Sequence, residues 1–439
     1  MNQDIRLFDL IYSVALLALL VLMAYRSDVA FLYIILMLTM PVIHKPHVIF
    51  PLYYVSTLSS STSLFAVADG VTASRIFSIV LMLSMLIYLF NSKKSPFSAK
   101  NTLYVFSLIL YLLFSCLISV SGSFDPFFGM LQNLLVLYFL QQLKGVNLNQ
   151  LGISLVLGCV ILTLFVVYSA YKGDAFSFEK RFTDEGEMNA NRIAMLLCQT
   201  TSILLAASIV IKNFWVRIML WAVSIASILV IIATGSRTAL ASVVLTPVVL
   251  IFFIQRKHFG KLLIGFVVIG IIAYFTYNFV LENTAFGARY DVEALQDSAR
   301  FPSQKIIITK LIPQYFIFGC GPGGVNTMAA GKPYGLQFPA HNFFIDPFCQ
   351  LGIVGFLLFM IFIFGIFKKC FDLPESYYKS VLLLFMAPAI CAIFNGLGEM
   401  IFYEKFFWCD LAMLLMYFNS TNKPEQQEAR SYDMQLMSK

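Results

Sequence analysis

Apolar residues in this chain come in long blocks, and polar residues are confined to the joints between them. Fourteen blocks stand out: 7–24, 29–43, 48–66, 75–91, 102–121, 126–143, 150–171, 191–211, 213–234, 237–255, 261–280, 343–367, 378–397 and 400–418. A helix that crosses the hydrocarbon core needs about 20 apolar residues, so the pattern predicts an all-α polytopic integral membrane protein. Twelve to fourteen transmembrane helices are expected, because the second block is short and the third contains the polar run STLSSSTS. The first block lacks a small-residue cleavage site and reads as a retained span. The whole chain, 1–439, reads as a single multi-span membrane domain.

The joints orient the chain. Lys and Arg in short loops stay on the cytoplasmic side. HKPH at 44–47, SKKSPFSAK at 92–100, Lys144, RKHFGK at 256–261 and KKCFDLPESYYK at 368–379 fall on one side when the spans are counted alternately. Both termini are therefore expected in the cytoplasm. The opposite face receives two longer segments, 172–190 and a large external loop at 281–342, the latter expected to carry short helices and active-site elements.

Composition agrees: 59% of residues are hydrophobic, only 12% are charged, and the mean hydropathy is +0.82, values outside the range of soluble domains. The net charge of +7 follows from the cytoplasmic loops. No basic stripe interleaved with aromatics lies outside the apolar blocks, which argues against nucleic acid. The eight cysteines are scattered without CxxC spacing, so neither a disulfide frame nor a thiolate metal site is expected.

Cations on the external face are the departure from this plan: Arg181, Arg237, Arg289, Arg300, Lys305, Lys310 and Lys332. From Ser298 to Asn342 there is no Asp or Glu, and an unneutralised positive segment attracts anions. Arginine suits phosphate, because its planar fork bonds bidentately and stays charged when partly buried. Lys305, Lys310 and Lys332 fit two readings, an anion site or side chains snorkelling to headgroups. Arg289 has Asp291, Glu293 and Asp297 nearby to solvate it. Arg237, set in TGSRTAL between two apolar blocks, is a functional candidate by its position alone.

Two further signals share this face. In FIFGCGPGGVN, residues 316–326, glycine amides such as those of Gly321 and Gly323 suit either a phosphate nest or a tight packing loop. His341 is the only external histidine. If a helix begins near Asn342, His341 stands at its mouth with Asp346 about one turn inside, placed to take a proton from a hydroxyl; a capping or headgroup-contacting histidine is the plainer alternative.

The order TGSRTAL, SARFPSQK, GCGPGG, then HN followed by LGIVG resembles the bacterial O-antigen polymerase and O-antigen ligase superfamily, and RFTDEGEMNANRIAMLL at 181–197 is similar to a pattern many members place before a span. The resemblance covers about residues 181–367. It implies an inverting, metal-independent glycosyltransferase without a cofactor, at the periplasmic face of the bacterial inner membrane. Its donor would be a glycan on undecaprenyl pyrophosphate, and a chain-length regulator and other polysaccharide assembly proteins would be partners. Carried over, Arg237 and Arg300 would hold the diphosphate and His341 would face the acceptor hydroxyl, with Arg181, Arg289, Lys305, Gly321, Gly323 and Asn342 as further substrate-binding candidates. Fixed guanidinium groups would stabilise charge developing on the leaving oxygen.

Three functions are compatible with this. A polymerase would extend a second lipid-linked repeat unit, and is preferred because two sizeable external segments leave room for two similar glycans. A ligase would transfer to the lipid A core. A lipid-linked-oligosaccharide flippase would need no base, and usually shows repeated halves, which are not visible in this chain. There is no HExxH, Walker loop or nucleophile elbow. Glu399, Glu404, Lys405 and Asp410 in the last block are costly inside a bilayer unless paired or lining a cavity, and no role follows for them from sequence.

Overall fold

The structure, a computed structural model, describes residues 7–26, 29–58, 66–68, 71–91, 102–121, 124–143, 146–177, 190–255, 300–331, 339–373 and 381–421, with isolated helical positions between 260 and 278. It is an all-α polytopic bundle. The helices are α1 (Leu7–Arg26), α2 (Val29–Thr39), α3 (Pro46–Leu58), α4 (Ala73–Asn91), α5 (Thr102–Leu117), α6 (Asp125–Gln141), α7 (Leu148–Lys172), α8 (Ala190–Val210), α9 (Phe214–Ala233) and α10 (Arg237–Gln255). After them come α11 (Arg300–Ile306), α12 (Gly324–Gly331), α13 (Ile345–Phe371), α14 (Val381–Asn395) and α15 (Lys405–Thr421). A short antiparallel pair, β1 (Ala66–Ala68) and β2 (Val71–Thr72), precedes α4.

Thirteen of the fourteen apolar blocks coincide with helices, and the eleventh, 261–280, lies mostly outside the described residues. Among the described helices six are long and apolar enough to cross a membrane: α4, α7, α8, α9, α10 and α13. The second and third blocks form helices of only 11 and 13 residues, about 16–20 Å at 1.5 Å per residue, short of a full crossing.

Helix α8 is the centre, packing on α7, α9, α10 and α14. With no hydrophobic drive between helices in lipid, small side chains and buried hydroxyls join them. Thr163 of α7 donates to Thr200 at 3.0 Å, and Thr201 pairs with Ser227 of α9 at 2.6 Å. Pro388 inside α14 has no N–H to donate to the carbonyl of Leu384. On the following turn the buried Gln199 amide bridges the helix backbone, donating to Pro388 O and accepting from Ala392 N, each at 3.1 Å. Large apolar side chains that point away from the bundle, such as Phe90, Leu103, Ile225 and Phe364, form the lipid-facing surface.

The segment between α10 and α13 carries the expected short helices. Helix α11 continues through a π-helical turn (Ile307–Leu311) and a last piece, Ile312–Gln314. With α12 it encloses a small core of its own around Ile307, Leu311, Cys320, Val325 and Cys349.

Candidate functional site

Helix α13 is interrupted at Gly352, whose φ is +62°. The backbone of the glycine-rich loop lies in that interruption. Ile353 N donates to Phe316 O at 2.7 Å, Cys320 N to Cys349 O at 2.9 Å and Gly321 N to Gln350 O at 2.9 Å. The approach is so close that a Cβ on Gly319 would stand 2.2 Å from Gln350 O, and one on Gly352 2.4 Å from Ile317 O. Gly323 N donates to Gln350 Oε1 at 2.9 Å and to Tyr403 Oη at 3.0 Å. The amides of Gly321 and Gly323, candidates for a phosphate nest, are thus engaged inside the protein. The loop packs into the break of α13, where these amides meet acceptors of residues 349–350 and Tyr403.

This packed loop supports the segment that carries His341. The residue sits in the left-handed region, φ +47°, an uncommon conformation for a residue other than glycine, which its surroundings here hold in place. Asp346, 2% exposed, does so: its Oδ1 accepts from Ala340 N at 3.1 Å and its Oδ2 from Asn342 N at 2.9 Å. The carboxylate thus holds the amides on both sides of His341. Asn342 Oδ1 accepts from Phe344 N and Ile345 N at 2.9 and 3.1 Å, capping the start of α13. Asn342 is therefore a structural cap in this chain, three residues earlier than the helix start at Ile345.

The His341 loop then docks on residues 396–399, between α14 and α15. Phe343 N donates to Gly396 O at 2.6 Å, and Asn342 Nδ2 to Leu397 O at 3.2 Å. Thr238 packs on Gly398 so tightly that a Cβ there would lie 2.4 Å from Thr238 Cγ2. Glu399 completes the series: its Oε2 is 3.6 Å from His341 Nδ1, and its Oε1 accepts from Asn191 Nδ2 at 3.1 Å. Four consecutive residues thus gather the His341 loop, the start of α10 and the start of α8 at one end of the bundle.

Glu399 is 7% exposed, and the His341 side chain is 25% exposed, so the pair is sheltered without being sealed. Nδ1 makes no hydrogen bond and faces the carboxylate. Beside it, Arg192 of α8 forms an ion pair with Glu404. Lys405 Nζ donates to Ser74 Oγ at 3.2 Å, and Asp410, deeper in the bundle, accepts from Tyr54 Oη at 2.8 Å. The four charges of the last block are therefore partnered, as their placement in an apolar segment requires.

Arg237 opens α10 and is half-buried, next to Thr238 in the turn made by Thr234, Gly235 (φ +64°) and Ser236. Arg300 opens α11, one turn before Gln304, whose Nε2 donates to Ala340 O at 2.8 Å. Both arginine positions are thereby tied to the segment that holds His341. Lys305 and Lys310 are exposed on the same short helical segment. Arg181, Arg289 and Lys332 lie outside the described residues. Among the described residues, no group of three or more His, Cys, Asp or Glu side chains is arranged to hold a metal ion.

The partners missed by sequence reasoning are Asn191, Gln304, Gln350 and Tyr403, while Glu399 was singled out there without a partner. Glu399 had a readable signal, an acid in the glycine-flanked joint NGLGE. The others are ordinary polar residues whose meaning comes only from what they meet.

Fold and site together define a multi-pass, all-α membrane protein whose histidine, carboxylates and arginine-bearing helix starts converge at one end. Residues 222–360 match the family model described as O-antigen ligase. The matched stretch runs from α9 into α13 and includes Arg237, Arg300 and His341, and over it the chain is similar to that family. No curated protein matches the chain.

Proposed function

We propose that this protein is a surface-polysaccharide polymerase, which transfers a growing glycan from undecaprenyl pyrophosphate onto another lipid-linked repeat unit at the periplasmic face of the inner membrane. The observation that carries this reading is the His341 and Glu399 pair, held by Asp346 and by residues 396–399 next to the start of α10. In the transfer the bond between the sugar anomeric carbon and the diphosphate oxygen breaks. A bond from that carbon to the acceptor hydroxyl oxygen forms on the opposite side, inverting the centre. The acceptor proton goes to His341, whose Nε2 is the nitrogen left free by the facing of Nδ1 to Glu399. A carboxylate on Nδ1 holds the ring and stabilises the imidazolium, and a hydrogen bond that is long in the free enzyme can tighten when substrate binds. Arg237 and Arg300 hold the diphosphate and stabilise charge on the departing oxygen.

The second reading is a ligase that uses the same donor and chemistry with the lipid A core as acceptor. The family description favours it; the room for two similar glycans favours the polymerase. Purified protein with a synthetic undecaprenyl-pyrophosphate repeat unit as the only glycan separates the two. A ladder of longer lipid-linked products identifies the polymerase. Transfer only after addition of lipid A core identifies the ligase, and no transfer with either acceptor counts against both. Chelator is expected to leave the rate unchanged, and inhibition by it would contradict the metal-independent mechanism.

A further inference from the structure

At the end of the bundle away from His341, a cavity of about 350 Å³ lies between α7, α8, α9 and α14. Val156, Val160, Ala207, Leu220 and Leu384 form its walls, and Asn149 is the one polar side chain that lines it. A void of this size forfeits the dispersion contacts of its lining unless something fills it. Val216 and Met219, which also line it, are exposed on the flank of α9, so the cavity opens sideways, where a membrane protein meets acyl chains.

The mouth carries the marks of a membrane interface. Phe214 and Trp215 are exposed at the start of α9, in the manner of an aromatic belt. Lys212 is exposed beside them. Arg217 donates from Nη2 to Ile211 O at 3.0 Å, while its Nε is shielded from solvent and has no hydrogen-bond partner. The end of α9 is already capped, since Asn213 Oδ1 accepts from Trp215 N and Val216 N at 3.0 and 3.2 Å. Lys212 follows the lining residue Ile211 and Arg217 follows the lining residue Val216, so two cations stand beside the mouth of an apolar cavity, a charge pattern that complements a lipid phosphate.

We infer that this cavity binds one anionic glycerophospholipid of the leaflet opposite the His341 site, with an acyl chain between α7 and α9 and its phosphate against Lys212 and Arg217. The site is separate from the transfer chemistry and does not depend on it.

The test uses the full chain purified in detergent, with lipid binding followed by native mass spectrometry. Phosphatidylglycerol is compared with phosphatidylcholine of the same chain length. Phosphatidylglycerol is expected to bind about tenfold or more tightly, the preference that two interfacial cations provide. Lys212→Gln with Arg217→Gln should reduce it to the phosphatidylcholine level, and Val160→Phe should weaken both lipids. Lys212→Gln alone, at an exposed position, should lose about a third to a half of that preference on a logarithmic scale even if the double variant folds poorly. Equal binding of the two lipids by the unaltered protein would overturn the inference, as would a preference left undiminished in Lys212→Gln. Displacement of phosphatidylglycerol by equimolar undecaprenyl phosphate would also overturn it, by giving the cavity to a polyprenyl chain.

Discussion

Asp346→Asn is the perturbation that most isolates how the site is held. The side chain keeps its shape, but a single amide oxygen can now accept from only one of the two flanking N–H groups, those of Ala340 and Asn342. The new NH2 faces the other donor, leaving it unpaired in a position that is almost completely buried. Loss of one charge-assisted hydrogen bond is worth about 1.5–3 kcal/mol. That loss acts on a backbone that already favours relaxation, because His341 lies in the left-handed region at roughly 1–3 kcal/mol above ordinary conformations. The bonds from Gln304 to Ala340 O, from Phe343 to Gly396 O and from Asn342 to Leu397 O remain and limit the movement. The productive loop geometry should therefore become about 10- to 100-fold less populated. Glycan transfer by purified protein in proteoliposomes should show kcat reduced by that factor while donor binding, read separately by equilibrium titration, is unchanged. Asp346→Ala, which removes both bonds, should cost more. A rate within twofold of wild type in Asp346→Asn would refute the reasoning that this carboxylate positions His341.

Glu399→Gln preserves an acceptor for Asn191 but removes the charge that faces Nδ1; kcat should fall about tenfold or more at unchanged melting temperature, and an unchanged kcat would leave Glu399 a purely structural role. Arg237→Lys keeps the charge and loses the fork, so transfer should nearly vanish, and full activity would remove the diphosphate-holding role from Arg237. Gly352→Ala places a methyl 2.4 Å from Ile317 O and 2.5 Å from Gly319 N, both rigid backbone atoms. Destabilisation on the order of 3 kcal/mol is expected, read as a lowered midpoint in thermal unfolding; a normal midpoint would show that the loop can leave the break.

The helices were legible because a bilayer imposes length and apolarity on every segment that crosses it. The nearness of His341 to Asp346 was legible from the helix start expected near Asn342, which sets the acid about one turn inside. The function of Asp346 was not, since an acid one turn into a helix suggests a side-chain partner, and here it binds the backbone on either side of the histidine. Gly321 and Gly323 stayed between two readings, a phosphate nest and a tight packing loop, for a related reason. A run of glycines reveals available amides without revealing which acceptors face them, and those acceptors exist only because α13 breaks at Gly352. Glu399 and Glu404 look like errors in an apolar block until Asn191 and Arg192 arrive from a helix two hundred residues away in sequence. Arg192 in NANRIAMLL and Glu404 in FYEKFF are each a charge at the edge of an apolar block. Such edge charges of opposite sign are the sequence signal that pairs helices in lipid.

The most direct test of the account is the transfer rate of His341→Ala beside His341→Gly. Glycine relieves the left-handed backbone that alanine keeps, so the glycine variant should be the more stable of the two by about 1 kcal/mol, and both should bind the lipid-linked donor. The account predicts that neither transfers glycan above about one hundredth of the wild-type rate. Transfer at the wild-type rate by either variant would contradict the central claim that the His341 imidazole takes the acceptor proton.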